Sequence, residues 1–147
     1  MDGSIRILHV DDDHDFADLT AEFLTLENDR FDIEAATDAA EGLARLDEAE
    51  FDCVVSDYDM PGQSGIEFLT AVRERYPELP FILFTGKGSE EVASDAISAG
   101  VTDYLQKATG SEQYELLANR IVTAVEQYRT ARELERQNDL FAKAQDI

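Results

Sequence analysis

The chain has 147 residues, of which 44% are hydrophobic, and its formal net charge at neutral pH is −21. This length suits one domain with an ordinary buried core, and the apolar share excludes disorder over most of the sequence. The large excess of acidic residues excludes a surface that attracts nucleic acid or anionic membranes.

The charge is unevenly distributed along the chain. Residues 1–110 contain 26 acidic and 7 basic side chains, whereas residues 111–147 contain 7 and 5. Because salt screens the repulsion within such a surface, we expect a halophilic source. No apolar run reaches the roughly 18 residues of a membrane span, and the first four residues lack the features of a signal peptide, so a cytoplasmic location is expected. Cys53 is the single cysteine, which excludes an internal disulfide.

Five short apolar runs predict buried strands, and helix-period segments alternate with them. This alternation is typical of an α/β domain with a doubly wound parallel sheet. The predicted strands are residues 5–10, 31–36, 53–56, 81–84 and 102–105. The apolar residues at helical spacing are Phe16, Leu19, Phe23 and Leu26, then Ala39, Leu43 and Leu46, then Ile66, Leu69 and Val72, then Val92, Ala96 and Ile97, and finally Leu117, Ile121 and Val125.

Helix-capping residues support these helices. Asp38 and Ser89 precede the second and fourth helices, Ser64 and Glu67 form a capping-box pattern before the third, and Gly100 closes the fourth. The fifth helix begins near Ser111, and no glycine or proline interrupts residues 111–144. We therefore expect it to run unbroken past the sheet to about Phe141. Its end is a frayed tail, a coiled-coil arm or a linker, and its heptad is too irregular to decide between them.

Polar side chains follow four of the predicted strands. Asp11 and Asp12 follow the first strand, Asp57 the third, Thr85 the fourth, and Lys107 lies just beyond the fifth. Because the carboxyl ends of parallel strands converge on one edge of a sheet, we expect these side chains to form one small site. Three carboxylates, a hydroxyl and an ammonium suit a divalent cation beside a phosphoryl group.

Chemistry assigns a role to each of these side chains. Magnesium takes oxygen ligands and retains waters, so Asp12 and Asp57 are expected to bind it directly and Asp11 through water. Asp57 is the expected nucleophile toward a phosphoryl donor, with Lys107 and Thr85 contacting the phosphoryl oxygens. Nearby acidic and imidazole groups receive no metal role: Asp13 and Asp15 are expected in a solvated loop, His9 in the core and His14 at a helix start.

In this set of residues the chain resembles the receiver domains of two-component response regulators, over about residues 4–127. The matching pieces are Val10-Asp11-Asp12, Asp57 with Met60-Pro61 and Gly65, Thr85-Gly86, and Tyr104 with Lys107. The resemblance implies a flavodoxin-like sheet of strand order 2-1-3-4-5 with five helices. It also implies that a histidine kinase phosphorylates Asp57, and that the domain is no enzyme in its own right, although it assists its own phosphorylation and dephosphorylation.

The resemblance further implies that the backbone carbonyl of Asp59 is a metal ligand and that Thr85 and Tyr104 form a switch pair. Phosphorylation would then change the contacts of the fourth helix, fifth strand and fifth helix. One residue departs from the family pattern: Ala108 stands where a proline, usually after a cis peptide bond, follows the lysine. A cis bond before alanine costs about 2.5–4 kcal/mol, so either the bond is trans and Lys107 is aimed differently, or the fold imposes strain.

Two other functions compete with the switch. Asp57-Tyr58-Asp59 is similar to the Asp-x-Asp nucleophile motif of haloacid-dehalogenase-like phosphatases, although that family carries the motif on its first strand and adds a cap domain. A degenerate receiver that only binds proteins is the other alternative.

We predict a receiver domain at residues 1–127 and, at 128–147, a helical extension that leads toward another domain or forms a dimerising arm. The last ten residues resemble the lead-in to a sensory PAS domain, which suggests a fragment of a longer receiver–sensor or receiver–kinase protein. The expected partners are a histidine kinase, a downstream sensory or kinase domain and a second copy of the chain, with no nucleic acid and no membrane.

Overall fold

A computed structural model describes residues 3–86 and 88–145. Five residues of the predicted domain and its helical extension therefore lie outside the described residues: Met1, Asp2, Lys87, Asp146 and Ile147. The strands are β1 (Ile5–Val10), β2 (Phe31–Ala36), β3 (Cys53–Ser56), β4 (Phe81–Thr85) and β5 (Asp103–Gln106). The helices are α1 (His14–Glu27), α2 (Ala39–Glu48), α3 (Gly65–Arg75), α4 (Glu90–Ala99) and α5 (Glu112–Gln145). All ten predicted elements are present.

The five strands form one parallel sheet in the order β2-β1-β3-β4-β5, which confirms the expected topology. In the register of the sheet, Val10 at the end of β1 is opposite both Ala36 of β2 and Ser56 of β3. The carboxyl ends of these three strands are therefore level with one another. The residues that follow β1 and β3 are brought side by side at this edge.

Side chains of the sheet alternate between two core layers, as expected when helices cover both faces. In β1, Leu8 and Val10 face the layer of α2, α3 and α4, whereas Ile5 and Ile7 face the layer of α1 and α5. β3 alternates in the same way, and Cys53 is fully buried on the side of α1 and α5. Cys53 is thus a small core residue.

The predicted caps are present. Asp38, Ser64 and Ser89 each accept a hydrogen bond from the backbone N–H three residues ahead, and Ser64 and Glu67 complete a reciprocal capping box. Gly100 closes α4 with a φ of 93°, a left-handed conformation that glycine adopts without steric cost.

Three apolar residues that matched the helical spacing face solvent. Leu19 and Leu26 in α1 and Ile97 in α4 are exposed, although the spacing suggested that they belong to packed faces. The buried face of α1 is instead formed by Ala17, Thr20 and Leu24. With about 3.6 residues per turn, Leu19 and Leu26 lie on the opposite side of the helix from these three residues and therefore face solvent.

The fifth helix is unbroken and extends to Gln145, which confirms the prediction from the absence of glycine and proline. Its 34 residues span roughly 50 Å at 1.5 Å per residue. Leu117, Ile121 and Val125 are fully buried, whereas every residue from Thr130 to Ala144 is exposed. We refer to residues 130–144 as the arm. None of the helices in the described parts of the chain has the apolar length that crossing a bilayer requires.

Candidate functional site

Three carboxylates meet at the carboxyl edge of the sheet. Backbone hydrogen bonds continue the ladder one residue past the strands, from Asp11 N to Ala36 O at 3.0 Å and from Asp57 N to Val10 O at 2.9 Å. These bonds fix both acids at the strand ends. One oxygen from each of Asp11, Asp12 and Asp57 lies within 4.8 Å of the others, so the sequence prediction that they form one cluster is met by the geometry.

The cluster is partly withdrawn from water. Asp11 is 1% exposed and Asp57 is 8% exposed, whereas Asp12 faces solvent. Buried carboxylates repel one another and lose hydration, so they need a neutralising cation or hydrogen-bond donors. Asp11 Oδ1 accepts a bond from Asp13 N at 2.9 Å, and Asp57 Oδ1 accepts one from Tyr58 N at 2.8 Å.

Lys107 supplies a cation to the two buried acids. Its ammonium donates to Asp11 Oδ2 at 2.9 Å and lies 3.4 Å from Asp57 Oδ2. Its backbone N–H donates to Thr85 O at 2.9 Å, which ties the residue to the end of β4. No peptide bond among the described residues is cis, so the Lys107–Ala108 bond is trans and the lysine still reaches the acids.

A residue that the sequence analysis did not assign to the site completes the surroundings of Lys107. The ammonium lies 4.2 Å from the centre of the Phe16 ring, in a cation–π contact. Phe16 lies in the first turn of α1, four residues after Asp12. The helical spacing of Phe16 identified it only as an apolar residue. Its cation–π partner, Lys107, is 91 positions away in the sequence, so no local pattern indicated the contact.

His9 lies beneath the cluster and is 1% exposed, as expected for a core residue in mid-strand. Burial, reinforced by the charge of Lys107, lowers the pKa of His9 to about 4, so the ring is neutral at neutral pH. Its Nε2 lies 3.9 Å from Asp11 Oδ2, and neither ring nitrogen has a hydrogen-bond partner among the described atoms. His14 is exposed at the start of α1, as predicted.

A close approach of two backbones fixes the loop after β3. Gly65 N donates to Tyr58 O at 2.7 Å, and a Cβ on Gly65 would overlap the carbonyl oxygen of Asp57. Glycine is therefore required here by space. By contrast, a Cβ on Gly86, beside Thr85, would meet nothing within 4 Å. Among the described residues, the space that a Cβ of residue 86 would occupy is open.

The remaining predicted site residues lie around this cluster. The Thr85 side chain is fully buried at the end of β4. Tyr104 in β5 is half-buried against the core layer of α4, and its buried hydroxyl has no hydrogen-bond partner in residues 3–86 and 88–145. Asp59 is exposed in the loop after Asp57. Asp13 and Asp15 are exposed, but the expectation of a loop is wrong for Asp15, which lies in the first turn of α1, and Asp13 caps this helix by accepting from Phe16 N at 3.0 Å.

The donor set fits a hard divalent cation. Three carboxylates offer oxygen ligands within 4.8 Å, and one of them is open to solvent. Magnesium is bound in proteins by one or two carboxylates together with retained waters. Lys107 contacts two of the three carboxylates but supplies one positive charge, so the described groups still carry an excess negative charge that favours a cation.

Comparisons with known proteins agree with this geometry. Residues 7–119 match the family model of the response regulator receiver domain. The response regulator protein FleR of Pseudomonas aeruginosa is 37% identical over 103 residues, which cover 69% of this chain and 21% of FleR. The regulatory protein VanR of Enterococcus faecium is 31% identical over 136 residues, which cover 92% of this chain and 56% of VanR. The chain thus spans about a fifth of one of these curated relatives and just over half of the other.

A solved structure extends the agreement to three dimensions. The crystal structure of a CheY-like response regulator receiver domain protein from Methanospirillum hungatei JF-1 matches with a TM-score of 0.77 and 28% identity, covering 87% of this chain and 98% of that one. The matched residues 7–119 contain the three acids and Lys107. The family model covers well over half of the sequence, and the chain belongs to the response regulator receiver domain family.

Proposed function

We propose that the chain is a phosphorylation-dependent switch whose phosphoacceptor is Asp57. The observation that carries this proposal is the position of the Asp57 carboxylate, at a strand end, within 4.8 Å of two further carboxylates and 3.4 Å from the Lys107 ammonium. A carboxylate oxygen of Asp57 attacks the phosphorus of a phosphohistidine on a kinase. The P–O bond forms, the P–N bond breaks, and the imidazole nitrogen keeps the bonding electron pair.

Lys107 acts on the phosphoryl group in this proposal. Its ammonium already lies between Asp11 and Asp57, and the Phe16 ring limits its movement. When a phosphoryl group is added to Asp57, the same ammonium neutralises one of its oxygens. The Lys107 ammonium contacts both acids although the peptide bond before Ala108 is trans, so this role does not require a cis bond.

Magnesium is the proposed cofactor, held by Asp12 and Asp57, by Asp11 through water and by the backbone carbonyl of Asp59. The clustered carboxylates support this set, and the solvent-facing side chain of Asp12 leaves room for retained waters. When bound, the cation offsets the negative charge that gathers on the phosphoryl oxygens during transfer. The protein's own groups position the acceptor.

Thr85 and Tyr104 are the proposed switch residues. The Thr85 hydroxyl would bond a phosphoryl oxygen, and the Tyr104 ring would then repack beside α4. The buried hydroxyl of Tyr104 supports this repacking. A buried hydroxyl without a hydrogen bond costs about 1–3 kcal/mol, so a conformation that pairs or exposes it is favoured. The surface formed by α4, β5 and α5 would change its contacts as a result.

We further propose a cytoplasmic setting of high salt, a histidine kinase as donor and, in the parent protein, a sensory or kinase domain downstream. The arm supports a second proposal, that two copies associate through α5. Beyond Arg129 the helix is exposed on every side, and an isolated helix of this length is marginal in water. Nucleic acid and membranes are not proposed as partners, because the charge of −21 repels both.

Labelling with acetyl phosphate in the presence of magnesium tests the proposed phosphoacceptor. Mass spectrometry should show one added phosphoryl group, which the Asp57→Asn variant loses. The Asp13→Asn variant is the matched control, since asparagine keeps the helix cap and should leave the adduct intact. Rapid turnover of acetyl phosphate would favour the phosphatase alternative, and no reaction at all would favour a degenerate receiver.

Titration with magnesium tests the proposed ligands independently of phosphorylation. Asp12→Asn and Asp57→Asn should each abolish saturable binding at moderate salt, because each removes a directly bound charge. Asp13→Asn should bind as the unmodified chain does. Equal losses in all three variants would mean that the ion is attracted diffusely to an acidic surface.

A further inference from the structure

The amino-terminal edge of the sheet, opposite Asp57, carries a second concave surface. Here α5 passes the strands and is held to them by Arg129, whose guanidinium donates to Ser4 O at 3.0 Å and pairs with Asp52 Oδ1 at 3.1 Å. Asp52 in turn accepts from Arg6 N at 2.8 Å. These contacts therefore fix the position at which α5 extends beyond the sheet.

A cavity of about 200 Å³ lies between this part of α5 and the loops that precede β3 and β4. We call its principal lining the collar, which consists of Leu46, Phe51, Tyr76, Leu79, Tyr128 and Arg132. Two shallower grooves, of about 250 and 210 Å³, open on Leu79 and Pro80 and share Tyr128 with the cavity. The surface is thus one partly open recess with two more open grooves beside it.

The walls of the cavity are held in place before anything binds. The Tyr76 hydroxyl donates to Leu46 O at 3.0 Å. Arg73 donates to Leu79 O at 2.7 Å and to Tyr76 O at 3.0 Å. A recess whose walls are already ordered loses little conformational entropy when it is filled, which favours binding.

Arg132 is distinctive among the arginines on this surface. Arg129 pairs with Asp52, and Arg136 pairs with Glu133 at 2.6 Å. Arg132 instead donates to the Tyr128 hydroxyl at 3.1 Å and lies 5.5 Å from the centre of its ring, and it has no ion pair with any carboxylate of the described residues. Although the chain has 33 acidic and 12 basic residues, this guanidinium remains available to a carboxylate of another molecule.

We propose that the collar binds a peptide segment of a partner protein, which inserts one bulky apolar side chain into the cavity and presents a neighbouring carboxylate to Arg132. The size of the cavity supports a side chain, because pockets for small ligands usually exceed about 300 Å³. The open grooves beside it accommodate the chain on either side. Glu50, Glu78 and Glu135 border the surface and restrict the ligand to a single carboxylate rather than an acidic run.

NMR titration of the isotope-labelled chain with the blocked dipeptide N-acetyl-Phe-Asp-amide tests the proposal. We expect saturable shifts of the amides of Phe51, Leu79, Tyr128 and Arg132, with affinity about threefold higher than for the Phe-Asn analogue, as a partly exposed charge pair gives. Arg132→Gln should remove this preference. Arg136→Gln is the matched control, since Arg136 lies on the same helix and is outside the cavity, and it should keep the preference.

Three outcomes would overturn the proposal. Shifts that are absent or spread over the whole surface would mean that the collar is no binding site. Equal affinities for the Asp and Asn dipeptides, or a preference that survives Arg132→Gln, would remove Arg132 from recognition. Benzoate binding as tightly as the dipeptide would identify a small-molecule pocket instead. None of these outcomes depends on phosphorylation of Asp57.

Discussion

The ammonium of Lys107 donates a hydrogen bond to the buried carboxylate of Asp11 at 2.9 Å, across 96 positions of sequence. The side chain of Asp11 is fully buried and that of Lys107 is one-fifth exposed, so the pair is formed in a partly dry environment. The same ammonium lies 3.4 Å from Asp57. The lysine therefore acts as the resident cation of the acidic cluster, and this relationship leads to the first prediction.

Lys107→Met keeps the hydrocarbon stem beside Phe16 and removes only the charge. Two buried carboxylates then lack their cation, and we expect the free energy of unfolding to fall by roughly 2 kcal/mol, less than for a fully buried pair because the lysine is partly hydrated. Magnesium should raise the melting temperature of this variant more than that of the unmodified chain. Lys143→Met, on the exposed arm, is the control, and an equal magnesium effect in all three proteins would contradict the prediction.

Gly65→Ala and Gly86→Ala form a matched pair. A Cβ at residue 65 would overlap the backbone of Asp57, whereas one at residue 86 meets no atom within 4 Å. Urea unfolding should show a loss of about 1–3 kcal/mol for Gly65→Ala, the usual cost of overpacking, and little change for Gly86→Ala. The close approach at Gly65 would be disproved if both variants unfolded at the same urea concentration.

Tyr104→Phe removes a buried hydroxyl that has no partner in the described structure. We expect the free energy of unfolding to stay constant or to rise by about 1 kcal/mol, because no hydrogen bond is lost and a desolvation cost disappears. Tyr114→Phe should behave alike, since its buried hydroxyl also lacks a hydrogen-bond partner among the described residues. A clear loss of stability in Tyr104→Phe alone would show that its hydroxyl forms a bond in solution.

Stability should depend on salt. Residues 1–110 carry 26 acidic and 7 basic side chains, and salt shortens the range of their repulsion to about 3 Å at 1 M. The melting temperature should therefore rise steadily as sodium or potassium chloride is added, and magnesium should replace part of this effect at low concentration. A melting temperature that stays flat from dilute buffer to molar salt would count against a halophilic source.

The arm offers a test of self-association. Ala131, Leu134, Asn138 and Phe141 follow one another at spacings of three, four and three residues along an exposed helix. If two copies meet on this seam, Leu134→Glu should convert a dimer into a monomer, as measured by the mass in solution. Leu140→Glu changes an equally exposed leucine outside the seam and should leave the dimer intact.

A monomer whose amides between residues 129 and 144 exchange freely, with and without a phosphoryl analogue, would show that the arm is a disordered tail. Slow exchange in a monomer would instead indicate a helix that is stable without a partner. Either result would contradict association through α5.

The fold was largely predictable because its signals are local. The strands β1, β3 and β4 are short, mostly apolar runs. Asp38, Ser64, Ser89 and Gly100 mark helix ends through bonds to nearby residues. The unbroken α5 followed from the absence of glycine and proline. The alternation of strands with helices then required a parallel sheet, and this requirement predicted where Asp11, Asp12, Asp57 and Lys107 would meet.

The sequence by itself thus determined the elements, their caps and the edge at which the acids gather. Only the tertiary structure decided that Leu19, Leu26 and Ile97 face solvent, because the elements packed against a helix determine which of its sides is buried. It also decided how Lys107 is aimed, with a trans bond before Ala108 and Phe16 beneath its ammonium. The collar depends on contacts between segments far apart in sequence, which no local pattern specifies.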